Sequence, residues 1–261
     1  MGIQALNDAD LKRLGRLHNT AEALAAFEIA RNEFDRVSFD LIYGRQDQGL
    51  AEWTSELKQA LTLGVDHISL YQLTIEDGTA FGDRYARGKL RGLPDEDLGA
   101  DMFVATQEVC EAAGLPAYEV SNHARDGAQS RHNLIYWRYG DYIGIGPGAH
   151  GRLTKEGRRL ATVCHSNPSR WLKAVSKGAA EARREVLSPE EQATEFLLMG
   201  LRLKEGISLS RYQRIAKRPL PLDKVSHLAD IGMVKVEGDK LIVNNQGVMV
   251  LNAVIEGLMP D

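Results

Sequence analysis

The chain has 261 residues, 43% hydrophobic and 26% charged, with a formal net charge of −4. This is the composition of a globular protein with one large domain, or a large and a small one, and the acidic balance argues against a general nucleic-acid binder. No apolar run reaches membrane-spanning length, no basic-then-hydrophobic start marks a secretory signal, and the two cysteines, Cys110 and Cys164, lack metal-ligand spacing, which fits a reducing cytoplasm.

The first 122 residues alternate between two patterns. Gly2-Ile3-Gln4 reads as the end of a strand. Ala23, Phe27, Ala30 and Phe34 recur at helical spacing behind a capping box of Asn19 and Glu22. "VSFDLIYG" is an apolar strand closed by Gly44, and Leu50, Trp53, Leu57 and Leu61 mark the next helix. "HISLYQL" is a strand, Leu98, Met102, Ala105 and Val109 mark a helix stopped by Gly114 and Pro116, and "AYEVSN" is a further strand. Near-continuous apolar strands separated by helices predict parallel strands buried on both faces and joined by right-handed crossovers.

The run "SRHNLIYWRYGDYIGIGPGAHG", residues 130 to 151, holds two histidines, three tyrosines, a tryptophan and five glycines. Gly146 to Gly151 formally satisfies G-x-G-x-x-G, but Pro147 removes a backbone donor and "RLTKEGRR" has no apolar period, so this is not a dinucleotide loop. Its glycines predict close approach of backbone to a ligand or to another strand. Tyr136, Trp137, Tyr139 and Tyr142 offer flat faces to a planar ligand, or equally pack a last barrel strand. His132 is the first candidate for a ligating imidazole and His150 a weaker one. His123 reads as a loop residue, Cys110 as a small core residue, and Cys164 beside His165 as weak evidence for a site.

From residue 187 the pattern changes. Ser188-Pro189-Glu190-Glu191 starts a helix that runs to about Arg202. Helices near 208–216, 222–231 and 246–258 and a hairpin turning at Glu237-Gly238-Asp239 suggest a winged-helix-like α+β module. Nine Lys/Arg against ten Asp/Glu over 188–261 disfavour a DNA-binding version of it. Packing against the larger domain is the better reading, with domains at 1–186 and 187–261.

Asp40 sits in an otherwise apolar strand, where a carboxylate is costly unless it is paired or holds a ligand. In a parallel α/β architecture the strand C-termini form the ligand face. Gln4 and Asp40 would project there, with Arg16 beginning the intervening segment. A carboxylate suits ribose hydroxyls, and an arginine suits a carboxylate.

"GIQALNDADLKRLGRLH", "SFDLIYG", "HISLYQLTIEDGT" and "RHNLIYWRYGDYIGIGPGAHG" resemble successive pieces of the oxygen-independent coproporphyrinogen oxidase family of radical SAM proteins, most closely its haem-chaperone branch. The resemblance covers nearly the whole chain. It implies an α/β fold: a partial radical SAM (β/α)6 barrel without its N-terminal units, followed by the winged-helix-like module. It implies that Gln4, Arg16 and Asp40 contact S-adenosylmethionine. It implies that "HNLIYW" matches a proposed haem-binding motif, with His132 on the iron and Tyr136 and Trp137 beside the porphyrin. Family members also hold a [4Fe–4S] cluster on a C-x3-C-x2-C loop, which these 261 residues do not contain. The chain is therefore expected to correspond to the C-terminal two-thirds of a member. Gly44-Arg45-Gln46-Asp47-Gln48 replaces the family's G-L-P-G-Q and is expected to lose a rigid turn. The implied function is haem binding and delivery, with anaerobic decarboxylation of coproporphyrinogen III as the alternative, so enzymatic activity stays open. The implied partners are haem or a porphyrin, a weak membrane or respiratory-protein contact for delivery, no nucleic acid, and self-association through the exposed barrel edge.

Overall fold

The computed structural model describes residues 1–259 and divides the chain into two compact units, Met1–Gln129 and Ser130–Asp261. The first unit runs β1 (Gly2–Gln4), α1 (Asp8–Arg13), α2 (Thr20–Glu33), β2 (Phe39–Tyr43), α3 (Leu50–Leu61), β3 (His67–Gln72), α4 (Ala80–Ala86), α5 (Glu96–Ala112) and β4 (Asn122–Ala124). Asn19 and Glu22 form the expected capping box at the start of α2. Among the described residues its strands form one sheet in the order β1-β2-β3-β4. β1, β2 and β3 are parallel, with Gly2 beside Asp40 and Asp40 beside Ser69.

β4 corrects the expected parallel strand at 117–122. It is antiparallel to β3 and holds only three residues. The cause is local. Tyr118 N–H donates to Asn122 O (3.1 Å) and Ser121 N–H to Glu119 Oε1 (2.9 Å), which folds residues 118–122 into a turn and reverses the chain.

α2, α3 and α5 pack on one face of the sheet. Ile3, Phe39, Leu41, Tyr43, Ile68 and Leu70 join Phe27 of α2, Trp53 and Leu57 of α3 and Met102 and Cys110 of α5 in one buried cluster. Trp53 stacks on Tyr43 and donates from Nε1 to Thr106 Oγ1 (2.8 Å). Because side chains alternate along a strand, Asp40 and Ile42 point to the other face. β2 is therefore not apolar on both faces as expected.

The second unit runs α6 (Arg131–Trp137), β5 (His150–Lys155), β6 (Arg158–Cys164), α7 (Pro168–Val175), β7 (Glu181–Val186), α8 (Pro189–Gly200), β8 (Ile207–Ser208), α9 (Leu209–Ala216), α10 (Leu222–Asp230), β9 (Val234–Glu237), β10 (Lys240–Val243), α11 (Asn245–Met249) and α12 (Leu251–Leu258). The boundary expected at 186/187 lies inside this unit, because residues 150–186 form an antiparallel sheet β5-β6-β7 of their own rather than strands of the first sheet. Residues 131–137 are helical, so the aromatic run is not a barrel strand. The helices and hairpin expected after 188 are present, with β8 added as a third strand against β10. The last helix breaks at Val250, whose φ of −122° and ψ of 34° leave the helical region.

Candidate functional site

On the other face of the first sheet, where Ile42 packs with Leu11, Leu14 and Phe81, a polar row crosses all four strands. Gln4 ends β1 at a φ of +70°, costly for a residue with a Cβ. Its Oε1 is buried and has no hydrogen-bond partner among the described residues. A Cβ built on Gly2 would lie 3.6 Å from Gln4 Nε2 and 3.9 Å from Asp40 Oδ1, so the two side chains converge on the same spot. Next in register come Ser69 and Asn122. Asp40 and Ser69 are half-buried, while Asn122 and Glu119 are buried. Arg16 is exposed in the segment after α1, where its N–H donates to Leu11 O (2.9 Å). The structure thus brings Gln4 and Asp40 together, and the Arg16 side chain makes no ion pair with them.

The loop after β2 is not slack, contrary to expectation. Arg45 is buried and donates from Nη1 to Ile42 O (2.7 Å). Its Nη2 pairs with Asp10 Oδ2 (3.0 Å) and with Glu56. Glu56 Oε1 also accepts from Leu6 N–H (2.6 Å), and Gln48 Oε1 accepts from Arg45 N–H (3.1 Å). A buried guanidinium held by two carboxylates does here what a proline turn would do by restricting φ.

A second cluster lies on α6. His132 is exposed on the first turn of α6. Its ring meets Tyr136 edge-on at 4.8 Å, and Tyr136 meets Tyr142 at 4.4 Å. Burial and the nearby Glu195 raise the Tyr142 hydroxyl, which Arg152 opposes. Trp137 does not offer both faces, since the Arg202 guanidinium lies 4.7 Å over its ring. Tyr139 is a core residue. It packs edge-on against Phe196 (5.9 Å), lies under Arg159 (4.3 Å) and donates to Glu195 Oε2 (3.0 Å). Arg211 donates to the carbonyls of Arg138 (2.7 Å) and Tyr139 (3.0 Å), satisfying the C-terminal end of α6.

The glycine run closes on backbone, one of the two expected uses. A Cβ on Gly144 would lie 2.5 Å from His150 O, and one on Gly151 2.5 Å from Thr162 Oγ1 and 2.9 Å from Gly144 N. His150 starts β5 and is exposed. His123 is fully buried on β4, not in a loop.

The two thiols do not fit an iron–sulfur cluster. Cys110 is a core residue whose thiol burial pushes up to about 12. Cys164 is buried on β6 and donates to Gly144 O (3.6 Å). Among the described residues no group of three or more His, Cys, Asp or Glu is placed to hold a metal ion. The polar side chains of Gln4, Asp40 and Ser69 do fit a polar ligand with hydroxyl groups. Sequence reasoning missed Ser69, Asn122 and Glu119. Their only signal was polar residues inside the strand-like stretches "HISLYQL" and "AYEVSN".

Residues 187–250 match the HemN C-terminal domain family. The chain is 37% identical over its whole length to the mouse "Radical S-adenosyl methionine domain-containing protein 1, mitochondrial", covering 62% of that protein. It is 40% identical to "Heme chaperone HemW" of Escherichia coli over 79% of the chain and 53% of that protein. With HemW of Lactococcus lactis the identity is 32% over all of the chain and 68% of that protein. The solved structure of the radical SAM enzyme coproporphyrinogen III oxidase, HemN, from E. coli is similar in fold, with a TM-score of 0.76 at 18% identity, over 99% of this chain and 63% of that one. The chain thus spans about three-fifths of the length of the first relatives it matches. Among the described residues no helix is long and apolar enough to cross a membrane.

Proposed function

The chain belongs to the HemN-like radical SAM family that includes the haem chaperones, and from that premise we propose that it binds haem on α6 and serves in haem delivery. The observation that carries the reading is His132, an exposed imidazole first in an aromatic row with Tyr136 and Tyr142. A neutral imidazole nitrogen could hold haem iron there. Tyr136 and Tyr142 present ring surface beside it, and Trp137 contributes from under Arg202. Arg211 fixes the end of the helix that carries the row.

On the first unit we assign Gln4 and Asp40 to the ribose side of an adenosyl ligand, and the exposed Arg16 to its carboxylate end. When bound, S-adenosylmethionine supplies the radical chemistry of the family. This chain's residues supply only recognition, since its thiols do not fit the cluster. The proposed architecture remains a partial barrel with a winged-helix-like module at 187–261. Among the described residues β1 is paired only with β2, and self-association through its outer edge is part of the same reading, with light scattering as the check. Coproporphyrinogen oxidation has no comparable support, because the HemN likeness is one of fold at 18% identity.

The test is a haem titration followed by absorbance. The chain is expected to give a shifted Soret band, and His132→Ala to weaken binding about tenfold or more and move the band. An unchanged spectrum and affinity in His132→Ala would remove His132 from the iron.

A further inference from the structure

We propose that Glu195, on the first helix of the region that matches the HemN C-terminal domain, is a positioning residue for the aromatic row on α6. Through Arg152 it fixes where Tyr142 stands against Tyr136 and His132. This rests on the haem reading of α6 and specifies what holds that site in shape.

The row has two different supports. His132 and Tyr136 are four residues apart on α6, so the helix itself sets their spacing. Tyr142 lies in the connection between α6 and β5, and its support is a bridge to Arg152. Tyr142 N–H donates to Arg152 O (2.7 Å), and Arg152 N–H donates to Tyr142 O (2.9 Å). The Tyr142 ring then meets Tyr136 at 4.4 Å and an angle of 66°. The place of the last ring therefore follows the place of Arg152.

Arg152 is fixed in turn by its side chain. Nε and Nη2 donate to Glu195 Oε1 (3.0 and 2.7 Å), Nε also reaches Oε2 (3.1 Å), and Nη1 donates to Gly151 O (3.0 Å). A forked guanidinium–carboxylate pair sets direction as well as distance. The two side chains are only 20% and 22% exposed, so water competes little for them. Glu195 Oε2 also accepts the Tyr139 hydroxyl (3.0 Å), just beyond the end of α6. The helix beneath is rigid. The Ser188 capping box and Pro189 start α8, and Ala193, Phe196 and Leu197 bury its inner side. A carboxylate of the C-terminal module thus sets, in two steps, the ring that closes the row.

The alternative role for the pair is only to hold β5 against α8. The two roles separate in titrations of ferric haem into the 261-residue chain, read for Soret position and affinity. Glu195→Gln removes one carboxylate oxygen, and Arg152→Lys replaces the fork by a single ammonium. Each is expected to move the band and weaken binding about three- to tenfold, the worth of one hydrogen bond. The double variant should be no worse than either single one, because both act on one link. Leu228→Ala, in the buried side of α10 in the same module, should lower the urea midpoint and leave band and affinity unchanged. An unmoved band in Glu195→Gln and Arg152→Lys, losses that add in the double variant, or the same change in Leu228→Ala would overturn the inference. The haem reading would still stand if His132→Ala loses the band. Failure of the unsubstituted chain to bind haem would overturn both.

Discussion

His67 shows how much one buried side chain can report. It lies on β3, buried, with Nε2 2.9 Å from Tyr118 OH and Nδ1 without a hydrogen bond among the described residues. Desolvation holds its imidazole below the usual 6.5, with Asp66 opposing and Arg36 adding to the shift. Below the unfolded value and above the folded one, the unfolded chain carries a proton that the folded chain does not. Stability is therefore fully present above about pH 6.5 and is lost as pH falls toward the folded value, by at most about 1.4 kcal/mol per pH unit. Urea midpoints between pH 7.5 and 5.5 should fall (roughly the window of an ordinary imidazole), and His67→Gln should flatten the slope. An equal slope in the variant would place the titration elsewhere. At this scale the sequence was legible for Asp40, because a carboxylate between Phe39 and Leu41 is conspicuous. His67 and Ser69 were not, since their meaning comes from partners on β4 and the turn before it, more than fifty residues away.

At the scale of elements, the loop after β2 and the glycine run carry the clearest consequences. Arg45 ties α1, the β2–α3 loop and α3 together through Asp10 and Glu56, with side-chain exposures of only 3%, 12% and 10%. Removing the guanidinium leaves two largely buried carboxylates facing each other. Arg45→Met should destabilise the chain by about 3–5 kcal/mol, and Arg45→Met combined with Glu56→Gln should recover part of the loss. Denaturant unfolding of both variants checks this. Full stability in the single variant would mean that the triad is not holding the loop. In the second unit, Gly151→Ala places a methyl 2.5 Å from Thr162 Oγ1 and 2.9 Å from Gly144 N. The β5–β6 pair must open to admit it, at a cost of about 1–3 kcal/mol, read as a lower melting temperature. α2, α3, α5, the helices after residue 188 and β1 to β3 followed from periodicity and capping because those signals are local, whereas the short α1, α4 and α7 did not. The reversal at 118–122, the helix at 131–137 and the sheet β5-β6-β7 did not. Each depends on which backbone groups find partners, and a run of aromatic residues suits a helix or a strand equally well.

At the scale of the whole molecule, the polar face of the first sheet and the family chemistry come apart. The polar row on the first sheet is assembled from this chain's own strands, and the α6 row from its own helix. Reductive cleavage of S-adenosylmethionine needs in addition an iron–sulfur cluster with one iron open to the substrate, hence three thiolates converging from one loop. The 261 residues hold two cysteines, one in the last turn of α5 and one at the end of β6. Each belongs to a different compact unit and each is buried. Burial pushes the Cys110 thiol up to about 12, so it resists becoming the thiolate that iron requires. Two thiols placed in this way cannot hold three irons of a cubane. The chain by itself is therefore expected to bind an adenosyl nucleoside without cleaving it. Anaerobic iron–sulfide reconstitution, followed by assays for iron, sulfide and 5′-deoxyadenosine, checks the point. The expected outcome is no stoichiometric cluster and no 5′-deoxyadenosine. Four irons per chain with turnover would show that the buried thiols can be released and supplemented by other ligands, and recognition and radical chemistry would then reside in the same 261 residues.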